Sequence, residues 1–229
     1  MQKNEANQVT VVIPTIGEDS LLQVIESLLN GSLIPIRILI CIPDKLKYKV
    51  QHIEKLHNVV EVITTDKGGQ VYQRSIGFLE SNSKYTLQLD SDIIVDEHLL
   101  SELVKRMENN SDISVGPVII DYHSNKISSY LSPSSIGIGK YPSKILYWVS
   151  NGNNGYVPGK ISKSGINFGL DDYSNDHEVE WLAGGCILHE TKNLILEDFY
   201  PFTGKAYAED LFHSKLLLKK GLRLIVAHN

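Results

Sequence analysis

The first half of the chain alternates short apolar runs with segments of helical periodicity, and this alternation restricts the fold more than any other feature. Residues 9–13 and 36–42 are rich in β-branched side chains and are each followed by a proline, as is typical of buried strands. Residues 59–63 and 85–89 read as further strands, and the segments between them carry apolar residues at helical spacing. We therefore expect an α/β fold with a mostly parallel sheet flanked by helices.

Composition favours a single globular domain. The 229 residues, 42% of them hydrophobic, suit one domain over residues 1–229, with a first half at about 9–120 and a second at about 121–229. The formal net charge of −5 argues against nucleic acid as a partner, because binding phosphates needs a concentrated basic face. Cys41 and Cys186 lie in apolar runs and are expected to be buried free thiols.

The sequence predicts no membrane-spanning segment and no secretion signal. Its longest apolar stretch, residues 33–43, is far shorter than the roughly 20 residues that a span requires. Residues 1–8 are polar and lack an apolar core, so we expect a cytoplasmic protein. Residues 121–176 are rich in Ser, Gly, Asn and Tyr, and we expect long loops there with short antiparallel strands.

Polar side chains follow each of the four predicted strands of the first half. Ligands of parallel sheets bind beyond the carboxyl ends of the strands, so these positions mark a candidate site. They are Pro14-Thr15, Asp44, Asp66-Lys67 and Asp90-Ser91-Asp92. The last of these pairs two carboxylates across one residue, and hard oxygen ligands of this kind suit Mg²⁺ or Mn²⁺. The alternative is a turn that leads into a helix cap.

A glycine pair and an arginine precede the fourth strand. Gly68 and Gly69 would let the backbone approach a ligand closely at a helix start, and Arg74 could pair with a phosphate one turn later. The alternative is an ordinary turn followed by a solvated helix charge.

Two adjacent acids open the last predicted helix, residues 209–220. A carboxylate that points from a helix start into a cleft can act as a general base, and Glu209 and Asp210 must face different directions because they are adjacent. The alternative is simple compensation of the helix dipole.

Two further features lie in the second half. Trp181 with Gly184 and Gly185 could stack on a sugar ring and leave room beside it, or could be a core tryptophan at a tight turn. His228 follows the last predicted strand, where an imidazole could complete a metal shell or simply lie at the surface.

Taken in order, these motifs resemble the GT-A-fold glycosyltransferases of family 2, in particular rhamnosyltransferase-like members. The similarity covers nearly the whole chain except about residues 122–176. The segments that carry it are Val11 to Thr15, Gly69 to Gly77, Leu89 to Asp92, Val179 to Leu188, Glu209-Asp210 and His228.

The resemblance implies an inverting hexosyl- or deoxyhexosyltransferase. Such an enzyme moves a sugar from a nucleotide-diphosphate sugar to a hydroxyl of a glycan or lipid-linked acceptor, in bacterial surface polysaccharide synthesis. It implies Mn²⁺ or Mg²⁺ as cofactor and allows peripheral contact with the inner face of the membrane.

The resemblance also assigns roles to individual residues. It implies Asp210 as the catalytic base, and Asp92 and His228 as metal ligands. The residues implied in nucleotide-sugar binding are Pro14, Thr15, Asp44, Lys67, Gly69, Arg74, Asp90 and Ser91. Those implied in sugar and acceptor binding are Trp181, Gly184, Gly185 and Glu209.

The residues alone leave two other functions to consider. A sugar nucleotidyltransferase would also use a nucleotide-binding sheet and Mg²⁺, but it needs a basic phosphate loop after the first strand, where this chain is acidic at Glu18 and Asp19. A carbohydrate- or nucleotide-binding module without turnover would not need both Asp92 and Asp210.

Overall fold

The computed structural model describes residues 9–108, 110–122, 124, 126–127, 140–202 and 206–228. The polar segment 1–8 and part of the predicted loop region lie outside these residues. The strands are β1 (Val9–Pro14), β2 (Arg37–Pro43), β3 (Val60–Thr65), β4 (Tyr85–Leu89), β5 (Ile113–Pro117), β6 (Ile120–Asp121), β7 (Lys126–Ile127), β8 (His177–Val179), β9 (Cys186–Glu190) and β10 (Arg223–Ala227). The α-helices are α1 (Leu21–Leu29), α2 (Gln51–Leu56), α3 (Gln70–Leu79), α4 (Leu99–Glu108), α5 (Lys140–Asn151) and α6 (Glu209–Lys219).

Eight strands form one sheet in the order β3-β2-β1-β4-β9-β5-β10-β8, and strands from both predicted halves share it. The pairs β1·β2, β2·β3, β1·β4 and β5·β10 are parallel. Strand β9 runs antiparallel between β4 and β5, and β8 pairs antiparallel with β10 at the edge. The predicted α/β fold with a mostly parallel sheet flanked by helices is confirmed, with these two strands reversed.

The alternation of side chains along the strands separates the core into two layers. Every residue of β1 is buried, which explains why its sequence is apolar throughout rather than alternating. Val11 and Ile13 pack on one face with the apolar stripe of α1, while Val12 packs on the other face with Phe78 of α3. Leu217 of α6 packs on this second face as well, against β9 and β10. Helices α3 and α6 therefore lie on the same side of the sheet.

Helix α3 lies unusually close to the sheet at Gly77. A Cβ atom at this position would come within 2.5 Å of both the Cys41 Sγ and the Val12 Cγ1 atoms. Only glycine fits there, and the close approach fixes the position of α3 and of the side chains at its start. Cys41 and Cys186 are free and buried as predicted, and burial raises the pKa of each thiol to about 12.

The second half contains more helix than the sequence analysis predicts. The short strands β6 and β7 pair antiparallel, in line with the expectation for this region. Helix α5, however, lies inside the segment expected to form loops, and that expectation is wrong there. The apolar residues Ile145, Trp148 and Val149 of this helix face solvent, so its periodicity does not mark a core-facing stripe.

None of the helices in the described ranges has both the length and the apolar character that a membrane span requires.

Candidate active site

The candidate site lies where the carboxyl ends of β1 to β4 meet the first turns of α3 and α6. The loop 180–185 enters the same region, because the backbone N–H of Asp90 donates to the Gly185 carbonyl at 2.8 Å. Residues that are far apart in the chain, at the ends of β4, α3 and α6, are thereby brought together.

Arg74 is the centre of the site's charge network. Its side chain is only 2% exposed, and its Nη1 atom lies 2.9 and 3.0 Å from the two carboxylate oxygens of Glu209. Its Nη2 atom lies 3.2 Å from Asp90 Oδ1. Arg74 is therefore not the solvated helix charge of the alternative interpretation. The predicted contact of Arg74 with a diphosphate is untested and stays a prediction.

Asp210 occupies the next position of α6 and faces a different environment from Glu209. It is half-buried, and burial together with the negative charge of Glu209 raises its pKa to about 6. Ala208, just before the helix, adopts a left-handed conformation with φ of 56°, which sets the direction in which the helix starts. A carboxylate with a raised pKa at a helix start has the properties of a general base.

The glycines 184 and 185 make space for these carboxylates. A Cβ atom at Gly184 would lie 2.6 Å from Glu209 Oε1 and 3.3 Å from the Cβ of Asp210. A Cβ atom at Gly185 would lie 2.4 Å from Ile93 Cδ1. The amide of Gln88 on β4 donates to the Gly184 carbonyl and holds this loop in place. Gly184 thus adjoins the candidate base, and Gly185 lies between Ile93 and Asp90.

Asp90 is held by two donors. Gln70 Nε2 donates to Asp90 Oδ1 at 2.8 Å, in addition to the contact with Arg74. Burial nevertheless raises the pKa of Asp90, and the negative charges of Glu209 and Asp92 act in the same direction.

Gln70 and Gln73 are site residues that the sequence analysis misses. The Gln73 amide donates to the Thr15 carbonyl at 2.7 Å and to the Cys41 carbonyl at 2.6 Å, and its oxygen accepts from Gly69 N–H at 3.1 Å. This one side chain joins the ends of β1 and β2 to the start of α3. Its position four residues after Gly69 is the only sequence signal, and a glutamine there carries no distinctive chemistry.

The loop after β1 presents a carboxylate. Glu18 accepts hydrogen bonds from the hydroxyls of Thr15 and Ser91, the latter at 3.0 Å, and Ser20 donates to the Ser91 carbonyl at 2.8 Å. Burial opposes ionisation of Glu18, but these hydrogen bonds outweigh it and lower its pKa. Thr15 and Ser91, both predicted nucleotide-sugar residues, are thus joined, with Pro14 buried at the end of β1.

Asp44 and Lys67 lie at the outer part of this edge. Asp44 is exposed and opens a short 3₁₀ helix after β2. Lys67 Nζ lies 3.2 Å from Asp198 Oδ2 and 4.2 Å from the centre of the Tyr72 ring. Both side chains are accessible to a ligand, and their predicted nucleotide contacts are untested.

The two predicted metal ligands have different surroundings. Asp92 is exposed, and its carboxylate has no hydrogen bond or ion pair within the described ranges. His228 Nδ1 lies 3.4 Å from Asp176 Oδ1 and 3.5 Å from Arg106 Nη2. Strands β9 and β5 separate β4 from β10, so these two strands are roughly 14 Å apart. Within the part of the chain that the structure describes, no three Asp, Glu, His or Cys side chains are grouped to hold a metal.

The donor set at the end of β4 nevertheless fits a divalent cation. Asp90 and Glu209 pair with the Arg74 guanidinium, and Asp92 lies close enough to Asp90, and Asp210 close enough to Glu209, for their negative charges to interact. Mg²⁺ and similar ions commonly bind through one or two carboxylates, with water and substrate phosphates as the remaining ligands. Asp92 is the carboxylate that is free for this role.

Trp181 lies in the same loop as Gly184 and Gly185, and its ring faces a cavity instead of the carboxylates. It is 7% exposed, and its indole N–H donates to the Phe168 carbonyl at 2.9 Å. The ring lines an apolar cavity of about 50 Å³ together with Phe168, Tyr173, Leu182 and Ala183. This placement agrees with a packed tryptophan beside a turn, and its contact with a sugar stays a prediction.

Two buried histidines lie on the α6 side of the site. His213, one turn after Glu209, stacks on Phe199 with ring centres 5.6 Å apart and meets His189 edge-on at 5.4 Å. Burial and the positive charge of Arg74 lower the pKa of both, that of His189 to about 3. Both rings are therefore neutral at physiological pH and contribute packing rather than charge.

Comparison with protein families decides the classification of this arrangement. The model of the family Glycosyl transferase family 2 matches residues 10–157, which include β1 to β7 and α1 to α5. The chain belongs to glycosyl transferase family 2. A comparison with curated protein sequences finds no significant match.

Solved structures with the same fold include proteins of the GT-A class, at identities that show the fold alone. One is GalNAc-T7 with UDP, GalNAc and Mn²⁺, with a TM-score of 0.67 and 16% identity over 96% of this chain and 41% of that one. Another is the mannosyltransferase PcManGT from Pyrobaculum calidifontis in complex with GDP-Man and Mn²⁺, with a TM-score of 0.57 and 12% identity over 97% and 55%. A third is S. aureus TarS 1-349, with a TM-score of 0.58 and 14% identity over 97% and 58%. The family 2 chain thus spans about half the length of these structures.

Proposed function

We propose that this protein is an inverting glycosyltransferase that moves a sugar from a nucleotide-diphosphate sugar to an acceptor hydroxyl. The observation that carries the proposal is the position of Asp210, a half-buried carboxylate with a pKa of about 6 beside the Glu209–Arg74–Asp90 network. Membership of family 2 supports the reaction class. Two solved structures of the same fold contain UDP with GalNAc or GDP-Man, which supports this class of donor.

The chemistry follows from the environment of Asp210. Its carboxylate accepts the proton of the acceptor hydroxyl while the hydroxyl oxygen forms a bond to the anomeric carbon of the donor. The bond from that carbon to the diphosphate breaks, and its electron pair stays on the leaving phosphate oxygen. Attack from the face opposite the leaving group inverts the anomeric centre in one displacement. A raised pKa makes Asp210 a stronger base than an ordinary aspartate, while it remains mostly ionised at neutral pH.

Arg74 and the glycines position the reacting groups. The Arg74 guanidinium holds Glu209 and Asp90 in fixed orientations, and the negative charge of Glu209 contributes to the raised pKa of Asp210. The absence of a side chain at position 184 lets the loop 180–185 pack directly against the Glu209 carboxylate, and the sugar would lie beside this loop. We assign Asp90, Thr15 and Ser91 to the donor side, and Gly184, Gly185 and Glu209 to the sugar and acceptor side.

A divalent cation is part of the proposal because a cluster of carboxylates repels a diphosphate. Asp92 would hold Mn²⁺ or Mg²⁺. We keep His228 as a candidate second ligand, which would have to leave Asp176 and reach the ion from the end of β10. When bound, the cation supplies positive charge that stabilises the diphosphate leaving group. Mn²⁺ accompanies the nucleotide ligands in two of the solved structures with this fold.

The acceptor and the biological setting belong to the same proposal. A hydroxyl of a glycan or a lipid-linked acceptor, a hexosyl or deoxyhexosyl donor, and a role in bacterial surface polysaccharide synthesis follow from the family resemblance alone. The cytoplasmic setting that the sequence predicts is part of the same proposal.

The second candidate, a sugar nucleotidyltransferase, is disfavoured by the loop after β1. Such an enzyme needs hydrogen-bond donors for phosphate in this loop. Here the loop instead carries the Glu18 carboxylate, whose pKa is lowered and which accepts hydrogen bonds from the hydroxyls of Thr15 and Ser91.

A donor panel distinguishes these functions. The protein is incubated with UDP-, GDP- and dTDP-sugars, Mn²⁺ and a set of glycan and lipid-linked acceptors, and the released phosphates are identified. We expect a nucleoside diphosphate and, by NMR, a product of inverted anomeric configuration. Release of pyrophosphate would indicate a nucleotidyltransferase. Thermal stabilisation by a donor without any release would indicate a binding module.

A further inference from the structure

Helix α5 presents an apolar face to solvent. Ile145, Trp148 and Val149 follow the spacing of one helix face and are 64%, 61% and 68% exposed. The other side of the helix is fixed to the protein body, because Tyr147 is buried and packs against Phe168 and Tyr156 with ring centres 5.6 and 5.2 Å away. Three large exposed apolar side chains on an anchored helix are typical of a surface that binds a partner.

The sequence segment that contains α5 carries a net charge opposite in sign to that of the rest of the chain. Residues 122–170 contain five lysines and no aspartate, glutamate or arginine, for a net charge of +5. The remaining residues carry 17 basic and 27 acidic side chains, for a net charge of −10. Lys144 is exposed beside Ile145, and exposed Lys163 lies at the other end of the helix, where its backbone N–H donates to Asn151 Oδ1 at 3.2 Å.

Helix α5 is anchored near the edge strand β8 and the cavity beside Trp181. Gly159, in the segment after α5, lies against Val179 of edge strand β8, since a Cβ atom there would approach Val179 Cγ1 to 2.6 Å. Phe168, which packs on α5, also lines the cavity shared with Trp181 and Ala183. The buried side of α5 thus packs on the cavity that Trp181 and Ala183 also line, and its exposed face points away from that cavity.

We propose that the exposed face of α5, flanked by Lys144 and Lys163, binds the surface of an anionic lipid bilayer. Apolar and tryptophan side chains insert between lipid headgroups, and lysines beside them are attracted to anionic lipids. A second copy of the chain fits less well, because symmetric pairing would bring like-charged lysines together. Three side chains also offer far less than the roughly 800 Å² per partner of a stable interface.

Vesicle binding tests the proposal without any need for activity. The protein is sedimented with phosphatidylcholine vesicles and with vesicles of phosphatidylcholine and phosphatidylglycerol, while tryptophan emission is recorded. We expect binding to the phosphatidylglycerol vesicles, weakened by salt, and a blue shift that reports Trp148, since Trp181 is already buried. The pairs Lys144→Glu with Lys163→Glu and Ile145→Ser with Val149→Ser should each weaken binding by about tenfold or more.

Helix α2 offers a matched control. It carries an exposed lysine, Lys55, beside Leu56, which is 62% exposed, and it lies near β3 at the opposite edge of the sheet. The pair Lys55→Glu with Leu56→Ser should leave vesicle binding unchanged. Absence of binding to anionic vesicles, or equal binding by the α5 variants, would overturn the proposal. So would self-association in the absence of lipid that the Ile145→Ser and Val149→Ser pair abolishes, because it would identify a second copy as the partner.

Discussion

Arg74 of α3 and Glu209 of α6 form a buried ion pair across 135 residues of sequence, with Nη1 2.9 and 3.0 Å from the two carboxylate oxygens. Arg74 also pairs with Asp90 at the end of β4, so one guanidinium links α3, β4 and α6. These three elements carry the candidate donor-binding and base residues. The positions of the candidate site residues therefore depend on the ion pairs of Arg74.

Removal of the Arg74 guanidinium should lower the free energy of unfolding of the protein. In Arg74→Met, the buried Glu209 carboxylate loses its partner while the partly exposed Asp90 keeps its bond from Gln70, and breaking a buried pair in this way typically costs about 3–5 kcal/mol. Chemical denaturation followed by circular dichroism measures the loss. Arg37→Met is the control, because the pair of Arg37 with Glu61 at 2.7 Å is partly exposed and should contribute about 1 kcal/mol or less. Equal losses in the two variants would contradict the central role of Arg74.

A methyl group at position 184 should disturb the site more than the fold. In Gly184→Ala, the new Cβ atom conflicts with Glu209 Oε1, which must shift away from Arg74 or push the loop outward. We expect turnover to fall at least tenfold, while circular dichroism spectra stay as in the wild type. Unchanged turnover would mean that the Glu209 carboxylate does not contribute to the active geometry.

The sequence predicts the sheet and the location of the site because both depend on local signals. Buried parallel strands require continuous β-branched runs, and β1 and β2 show them clearly. Polar residues directly after such strands must lie at one edge of the sheet, so the order of the motifs is enough to place Thr15 and Asp90 together.

The remaining features depend on long-range packing that no local pattern records. Helix α5 escapes prediction because its apolar residues face outward and its buried side includes Ser150 and Asn151. The ion pair of Arg74 with Glu209 and the bonds of Gln73 arise from contacts between distant segments. The sequence correctly indicates that Glu209 and Asp210 face different environments, but it does not reveal which one is paired.

Donor binding should depend on Asp92 only when a divalent cation is present. In Asp92→Ala, we expect calorimetry to show loss of the Mn²⁺-dependent part of donor affinity, since the free carboxylate at the end of β4 is gone. Asp96→Asn is the control, because Asp96 is a nearby exposed acid whose Oδ1 accepts from His98 N–H at 2.9 Å, a bond that asparagine can keep. Donor binding by Asp92→Ala with wild-type dependence on Mn²⁺ would reject Asp92 as a ligand.

The pH dependence of turnover should report the ionisation of Asp210. Only the ionised carboxylate accepts a proton, and its pKa is about 6, so kcat/KM should rise tenfold per pH unit below about pH 6 and level off above it. Steady-state kinetics from pH 4.5 to 8 measures the profile. A midpoint near 4, as for an ordinary exposed aspartate, would show that burial and Glu209 do not raise this pKa.

The turnover of the Asp210→Asn variant tests the proposed base most directly. Turnover is measured with saturating donor and acceptor, and calorimetry measures the donor affinity of the same preparation. Asparagine has nearly the same shape as aspartate but cannot accept the proton of the acceptor hydroxyl. We predict a turnover lower by about 10²–10⁴-fold, with donor affinity close to that of the wild type. Wild-type turnover in this variant would contradict the assignment of Asp210 as the general base.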